Sequence, residues 1–289
     1  MTATKGADRI AVRPLRRPGR HAPLFLVSAP GVNALGYVAL ARCLDPAETV
    51  MSVQAHGAGY PPRRDYSPEE CAALAAAYLA AVRARQPVGP YHFAGMCDGA
   101  HIAFEMARRL EAQGEEVALL GIIDTWPVEN SSHYPLVMIE SMRKQLAPLD
   151  GGERLAWIAR GVSTRIRGLG RALRTRLPGN DTAERRPSPR ELWRARVWPG
   201  ESFVPPRYGG RITVLRVRRQ PYFRLRDPSL GWASRSTYPV DIHLVPGDHA
   251  NLLRPPHVAA LACALGACLA AARARSSAAF TDHGVPRRA

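Results

Sequence analysis

Lysine is nearly absent from this chain of 289 residues: only Lys5 and Lys144 occur, so almost all of its 40 basic residues are arginine. Set against 24 acidic residues, they leave a balance of +16, which admits nucleic acid, an acidic protein or a phosphate-bearing ligand as partner. The arginines lack the interleaved aromatics of a nucleic-acid module, so no nucleic-acid partner is expected. Apolar runs of membrane-spanning length are missing as well, none reaching the roughly 18 residues of a span, and no membrane partner is expected. Residues 1–20 are basic and broken by proline, without an apolar stretch ahead of a small-residue cleavage site, so they do not read as a secretory signal. The expected location is cytoplasmic. Cysteine is too scarce for a disulfide framework: Cys43, Cys71, Cys97, Cys263 and Cys268 are odd in number and lie mostly in alanine-rich helical patterns, the usage of a reducing compartment. Four of them read as small core residues. Cys97 does not.

What is present is ordinary globular composition, 46% apolar and 22% charged, which excludes a disordered chain, a collagen repeat and a coiled coil. Short apolar runs alternate with helical patterns, the mark of a parallel sheet wrapped by helices. Strands are predicted at residues 24–28, 50–54, 91–94, 117–123, 211–217 and 240–245. Helices are predicted at 37–44, from Ser67, Pro68 and Glu70 to about 86, at 98–111 and at 257–272. Ser67 is the cap of the second helix, Pro68 fits its first position and Glu70 completes a capping box. The alternation stops between Trp126 and Pro206, where helical stretches (137–146, 154–173) mix with Gly/Pro breaks and many arginines. So long a piece is not a structureless connection. The expected organisation is α/β with a helical lid inserted at about 126–206, a basic flexible leader at 1–20, the main domain at 21–275 and a flexible tail at 276–289; residues 178–189 also read as mobile.

Gly95-Met96-Cys97-Asp98-Gly99 has a buried strand before it and a helix after it. This is the setting of a nucleophile elbow, in which small flanking residues let the chain turn so sharply that the central side chain projects above the sheet. Here that side chain is a thiol, placed where a helix N-terminus favours thiolate. A nucleophile needs a base and the base an orienting group. Of nine histidines, His249 is best placed, in Pro246-Gly247-Asp248-His249 just beyond the last strand. His92 and His243 lie within strands, His257 begins a helix, and His101 shares the elbow helix, so structural roles suit them better. The order nucleophile, acid, histidine is that of α/β-hydrolases. Two carboxylates stand open as the acid: Asp124, ending the strand after the elbow helix, and Asp227, after the strand at 211–217.

With Phe104-Glu-Met-Ala-Arg108, Leu110-Glu-Ala-Gln-Gly114 and Leu120-Gly-Ile-Ile-Asp-Thr-Trp126, the stretch from Gly95 resembles the thioesterase domains of nonribosomal peptide and polyketide assembly lines. The resemblance extends from Pro23 to about Ala271 and takes in Tyr208-Gly-Gly-Arg-Ile-Thr-Val-Leu215, Gly231-Trp232 and Gly247-Asp248-His249. It implies an α/β-hydrolase fold and an acid 27 residues beyond the nucleophile, which is the separation of Asp124 from Cys97. Two departures stand out. The family usually has serine where this chain has Cys97, although cysteine members exist. Its first-strand turn, His-Pro-Ala/Gly-Gly, reads Ser28-Ala29-Pro30-Gly31-Val32 here. An oxyanion donor is expected in that turn, and Pro30 has no N–H, so Gly31 or Val32 must supply it. The second donor is the N–H of Asp98.

The implied activity is release of an acyl or peptidyl chain from a carrier protein's phosphopantetheine thioester through acyl-Cys97, by hydrolysis, cyclisation or aminolysis. No cofactor and no metal are implied beyond the arm carried by the partner, an acyl or peptidyl carrier protein. Met1 and the basic leader point to a free-standing enzyme. The alternative is a non-catalytic, hydrolase-like module binding tethered or free ligand, a reading fed by Pro30 and Asp98.

Overall fold

The computed structural model describes residues 9–30, 34–56, 68–127, 146, 150–155, 206–218, 220 and 227–282. The chain divides into two compact units: Met1–Asn130 with Gly200–Ala289, and Ser131–Pro199.

In the first unit, seven strands form one sheet: β1 (Arg9–Pro14), β2 (Leu24–Val27), β3 (Val50–His56), β4 (Tyr91–Met96), β5 (Val117–Ile123), β6 (Ile212–Val217) and β7 (Asp241–Val245). Their spatial order is β1-β3-β2-β4-β5-β6-β7. Every pairing is parallel except that of β1 with β3. The helices are α1 (Val38–Cys43), α2 (Pro68–Arg83), α3 (Asp98–Glu111) and α4 (His257–Asp282). Alternate strand residues feed two cores, one on each face. Phe25, Val27, Phe93, Leu120, Ile122 and Val214 join the residues of α2 and α3, while Leu24, Leu26, Leu119, Ile123 and Leu215 join those of α1 and α4. Strands covered on both faces read as near-continuous apolar runs, which is why they were legible in sequence.

The chain steps from β2 outward to β3 and then back across to β4, so the strand order reverses between β2 and β4. In such sheets the crevice at the carboxyl ends beside that reversal is where ligands are met. Gly95 to Asp98 lies there.

Three expectations change. Arg9–Pro14 is the edge strand β1, paired with β3 from Arg9 opposite His56 to Pro14 opposite Met51, and not part of a flexible leader. Ile10 and Val12 pack toward the α2 side while Arg13 is exposed; alternation with arginine hid the strand inside a basic segment. Helix α4 runs on to Asp282, through the start of the segment expected as a flexible tail. By length and composition, its residues His257–Ala278 are apolar enough to cross a membrane, with a mean hydropathy of 1.6. Leu261, Leu265 and Leu269 are instead buried against the sheet, as in a core helix. Finally, Cys43 and Cys263 are exposed and only Cys268 is fully buried, so two of the four cysteines expected in the core lie on outer helix faces.

A buried carboxylate joins the inner layers. Glu48 accepts from Arg273 Nη1 at 2.8 Å and meets His21 Nδ1 at 3.4 Å. Arg16 donates to the carbonyls of Leu44 (3.0 Å) and Glu48 (2.6 Å). The connection between α1 and β3 is thereby tied to α4.

In the second unit the described residues form a helical turn over 150–155 with a capping box. Asp150 Oδ1 accepts the N–H of Glu153 (2.8 Å), and Glu153 Oε2 accepts that of Asp150 (3.0 Å). Most of the predicted helices at 137–146 and 154–173 and the polar stretch 178–189 lie outside the described residues.

Candidate active site

Strand β4 delivers Cys97 to the carboxyl edge of the sheet, and α3 begins at the next residue. Cys97 has φ 53° and ψ −135°, a conformation that L residues adopt only when their surroundings impose it. Two glycines make room for it here. A Cβ on Gly99 would lie 2.2 Å from the Val27 carbonyl oxygen, and one on Gly95 would lie 2.5 Å from that of Gly99. With hydrogen in both places, the first turn of α3 presses against β2 and β4, and Cys97 stands exposed. Two hydroxyls hold the elbow backbone: the N–H of Met96 donates to Tyr37 Oη (3.0 Å), and that of Cys97 to Thr125 Oγ1 (2.7 Å).

The loop after β7 brings His249 to the sulfur, 152 residues away in sequence, with Nε2 3.1 Å from Sγ. That loop is shaped by Asp248 and Asn251, which clamp each other. Asp248 accepts the N–H groups of Ala250 (2.8 Å) and Asn251 (3.1 Å), and Asn251 Oδ1 accepts the N–H of Asp248 (2.8 Å). Trp126 lies 5.6 Å from the imidazole, ring to ring.

Asp124 completes the line. It is fully buried, sits at φ 41°, and accepts from His249 Nδ1 at 3.0 Å through Oδ2 and at 2.9 Å through its main-chain oxygen. Its Oδ1 accepts the N–H of Val217 (2.9 Å) and the amide of Gln220 (2.8 Å). With Nδ1–H committed to Asp124, Nε2 is the nitrogen that faces sulfur. Asp227, the other carboxylate open from sequence, is used within its own turn, where both oxygens accept from Ser229.

Burial pushes the imidazole of His249 down, but hydrogen bonds to Asp124 and Cys97, with the charges of both, outweigh it and carry its pKa up to about 10. Burial raises Cys71 to about 12 and Cys268 to about 11, which keeps those thiols protonated at neutral pH. His92 is buried in β4, its pKa lowered to about 4 mainly by desolvation, and neither ring nitrogen has a hydrogen-bond partner among the described residues. His101 Nε2 meets the carbonyl of Trp126 at 3.1 Å. His243 stays half-buried in β7, and His257 opens α4 beside Gly247.

Asp98 is the first residue of α3. Pro30 is a buried turn residue after β2, and Gly31 and Val32 lie outside the described residues. Among the described residues, no group of three or more His, Cys, Asp and Glu is placed to hold a metal ion. Sequence reasoning missed Tyr37, Thr125, Gln220 and Asn251. Only Asn251 left a signal, the Asp-x-x-Asn spacing of a self-capped turn.

A thiol, an imidazole and a buried carboxylate thus stand in hydrogen-bonded series at the head of the parallel sheet. The family model of the thioesterase domain matches residues 22–268, and the chain belongs to that family. It is 36% identical over 114 residues to a dimodular nonribosomal peptide synthase of Bacillus subtilis (strain 168), covering 39% of this chain and 5% of that one. To enterobactin synthase component F of Escherichia coli (strain K12) it is 34% identical over 121 residues, or 42% of this chain and 9% of that one. The chain thus spans less than a tenth of the length of these relatives. Among solved structures, the Vlm2 thioesterase domain superposes with a TM-score of 0.55 at 22% identity, over 90% of this chain and 97% of that one. The shared architecture is the α/β-hydrolase fold.

Proposed function

We propose that the protein releases acyl or peptidyl chains from the phosphopantetheine thioester of a carrier protein in nonribosomal peptide or polyketide biosynthesis. Cys97 is the nucleophile, His249 the base and Asp124 the orienting acid. The observation that carries this reading is the unbroken series Sγ to Nε2 at 3.1 Å and Nδ1 to Oδ2 at 3.0 Å. The names of the two synthetase relatives support the substrate class and the carrier partner.

His249 takes the thiol proton of Cys97, and the sulfur attacks the thioester carbonyl to form a carbon–sulfur bond. The oxyanion that develops is met by the N–H of Asp98 and by an N–H from Gly31 or Val32. Collapse breaks the bond to the pantetheine sulfur, which leaves with the proton from His249. The imidazole, neutral again, then draws a proton from water, an internal hydroxyl or an amine as that group attacks acyl-Cys97. The product is an acid, a ring or an amide, and Cys97 is regenerated. Asp124 keeps the imidazole tautomer in place throughout.

An acyl-Cys retains thioester reactivity, whereas an acyl-Ser is a less activated oxyester. Cys97 therefore favours capture by an amine or closure of a strained ring more than serine would. The test is intact-mass measurement after incubation with a panel of acyl-N-acetylcysteamine thioesters. Wild type gains one acyl group and Cys97→Ala gains none. A Cys97→Ala protein that still loads would overturn the assignment. Cys97→Ser is expected to shift the ring-to-acid ratio toward acid, and an unchanged ratio would remove the role given to sulfur.

A further inference from the structure

The nucleophile and the acid are joined by a connection other than the imidazole. Thr125 follows Asp124 directly, and its hydroxyl accepts the backbone N–H of Cys97 at 2.7 Å. An amide nitrogen can only donate, so the hydroxyl proton is directed elsewhere, and the Ile123 carbonyl receives it at 2.8 Å. Trp232, itself buried, donates its indole N–H to the Thr125 carbonyl at 2.6 Å. Thr125 is buried and held on three sides. Asp124 fixes the imidazole through its side chain, and the neighbouring Thr125 fixes the main chain that carries Sγ. Both depend on the single turn that ends β5.

We propose that Thr125 is a positioning residue whose hydroxyl holds the strained Cys97 backbone so that Sγ stands within hydrogen-bond distance of His249. Cys97 holds φ 53°. The glycines at 95 and 99 permit the turn without selecting it, and the Tyr37 hydroxyl acts one residue earlier, on Met96. The bond from Cys97 N–H to Thr125 is the contact made by the nucleophile's own amide. Without it, the peptide is free to rotate toward an ordinary φ and carry Sγ away from Nε2.

This inference rests on Cys97 being the reacting thiol, so its test has an arm that does not depend on thioesterase activity. Full-length wild type, Thr125→Val and Thr125→Ser are compared in iodoacetamide alkylation of Cys97 from pH 5.5 to 10, followed by peptide mass, and in acyl loading from octanoyl-N-acetylcysteamine. Thr125→Val keeps the shape and deletes the hydroxyl, and Thr125→Ser restores it. Thr125→Val is expected to lose about 10–100-fold in acylation rate constant with KM within about twofold, the scale of a roughly 1 Å misplacement. Its alkylation below pH 7 falls by a similar factor and recovers only as pH rises through the ordinary thiol range, while Thr125→Ser stays within about threefold of wild type. A residue that merely supports the fold would lower the melting temperature in both variants without changing the pH profile of alkylation. That result, or a Thr125→Val protein alkylated and acylated like wild type, overturns the proposal. If Thr125→Val does not fold, the serine variant and Thr125→Ala decide in the same assays: serine must resemble wild type and alanine must show the loss. Wild type that alkylates rapidly at pH 6 but never acylates would count against the thioesterase reading and leave the Thr125 comparison decided by alkylation.

Discussion

At Cys97 the chain holds a positive φ that glycine would adopt freely and cysteine does not. The strain is tolerated because Gly95 and Gly99 make room for the turn and the Thr125 hydroxyl accepts the Cys97 N–H. Gly99→Ala would drive a methyl group into the Val27 carbonyl at 2.2 Å. It is expected to give an insoluble protein, or one whose melting temperature falls steeply, and a Gly99→Ala protein as stable as wild type would contradict the packing described. His249 supplies a pH-dependent counterpart. Its pKa is raised from 6.5 to about 10, so the native state holds the proton more tightly than the unfolded chain does. The resulting stabilisation is complete below about pH 6.5 and is lost as pH rises through about 10. The melting-temperature gap between wild type and His249→Gln should therefore be widest near pH 6 and shrink toward pH 10.5. A gap that widens with pH would mean that folding lowers the His249 pKa instead. The motif Gly95-x-Cys97-x-Gly99 was readable in sequence because steric demand falls on adjacent residues. The hydroxyls of Tyr37 and Thr125 were not, because their partners come from other elements.

Among the elements, the strands from β2 to β6 declared themselves by mostly apolar runs, unbroken in β2 and β5 and interrupted by single polar residues in β3, β4 and β6. Strand β1 did not, because arginine and proline gave a segment with one packed face the look of a tail. Helix α4 was read short for a similar reason. Its later turns are alanine, arginine and serine, and what continues the helix includes Arg273 on Glu48 and Ser276 on Glu116. Glu48 is buried and Arg273 largely so. Replacing Glu48 by glutamine should therefore cost about 3 kcal/mol by leaving a guanidinium without its carboxylate. Urea unfolding of Glu48→Gln would show the loss. A Glu48→Gln, Arg273→Met double variant should recover much of it, because the uncompensated charge is then gone.

At the scale of the whole molecule, the +16 charge acts on encounter and not on the fold. For a carrier-tethered substrate, kcat/KM should fall as salt rises from about 0.1 M to 1 M, over which the screening length contracts from roughly 10 Å to 3 Å. The same parameter for a neutral N-acetylcysteamine thioester should change little. Equal salt dependence for both would remove electrostatic steering from the account. The alternation of apolar and helical segments, the two glycines around Cys97 and the histidine after the last strand were properties of the linear chain, because local sterics and periodicity act over a few residues. Asp227 and Asp124 each follow a strand, and within the linear chain only the 27-residue spacing of the family resemblance favoured Asp124. Folding distinguished them: β5 lies between β4 and β6, so the end of β5 comes up beside the elbow, while Asp227 closes on Ser229 within its own turn. Which carboxylate meets the imidazole is a distance across 125 residues, and only the packing of strands beside one another sets such a distance.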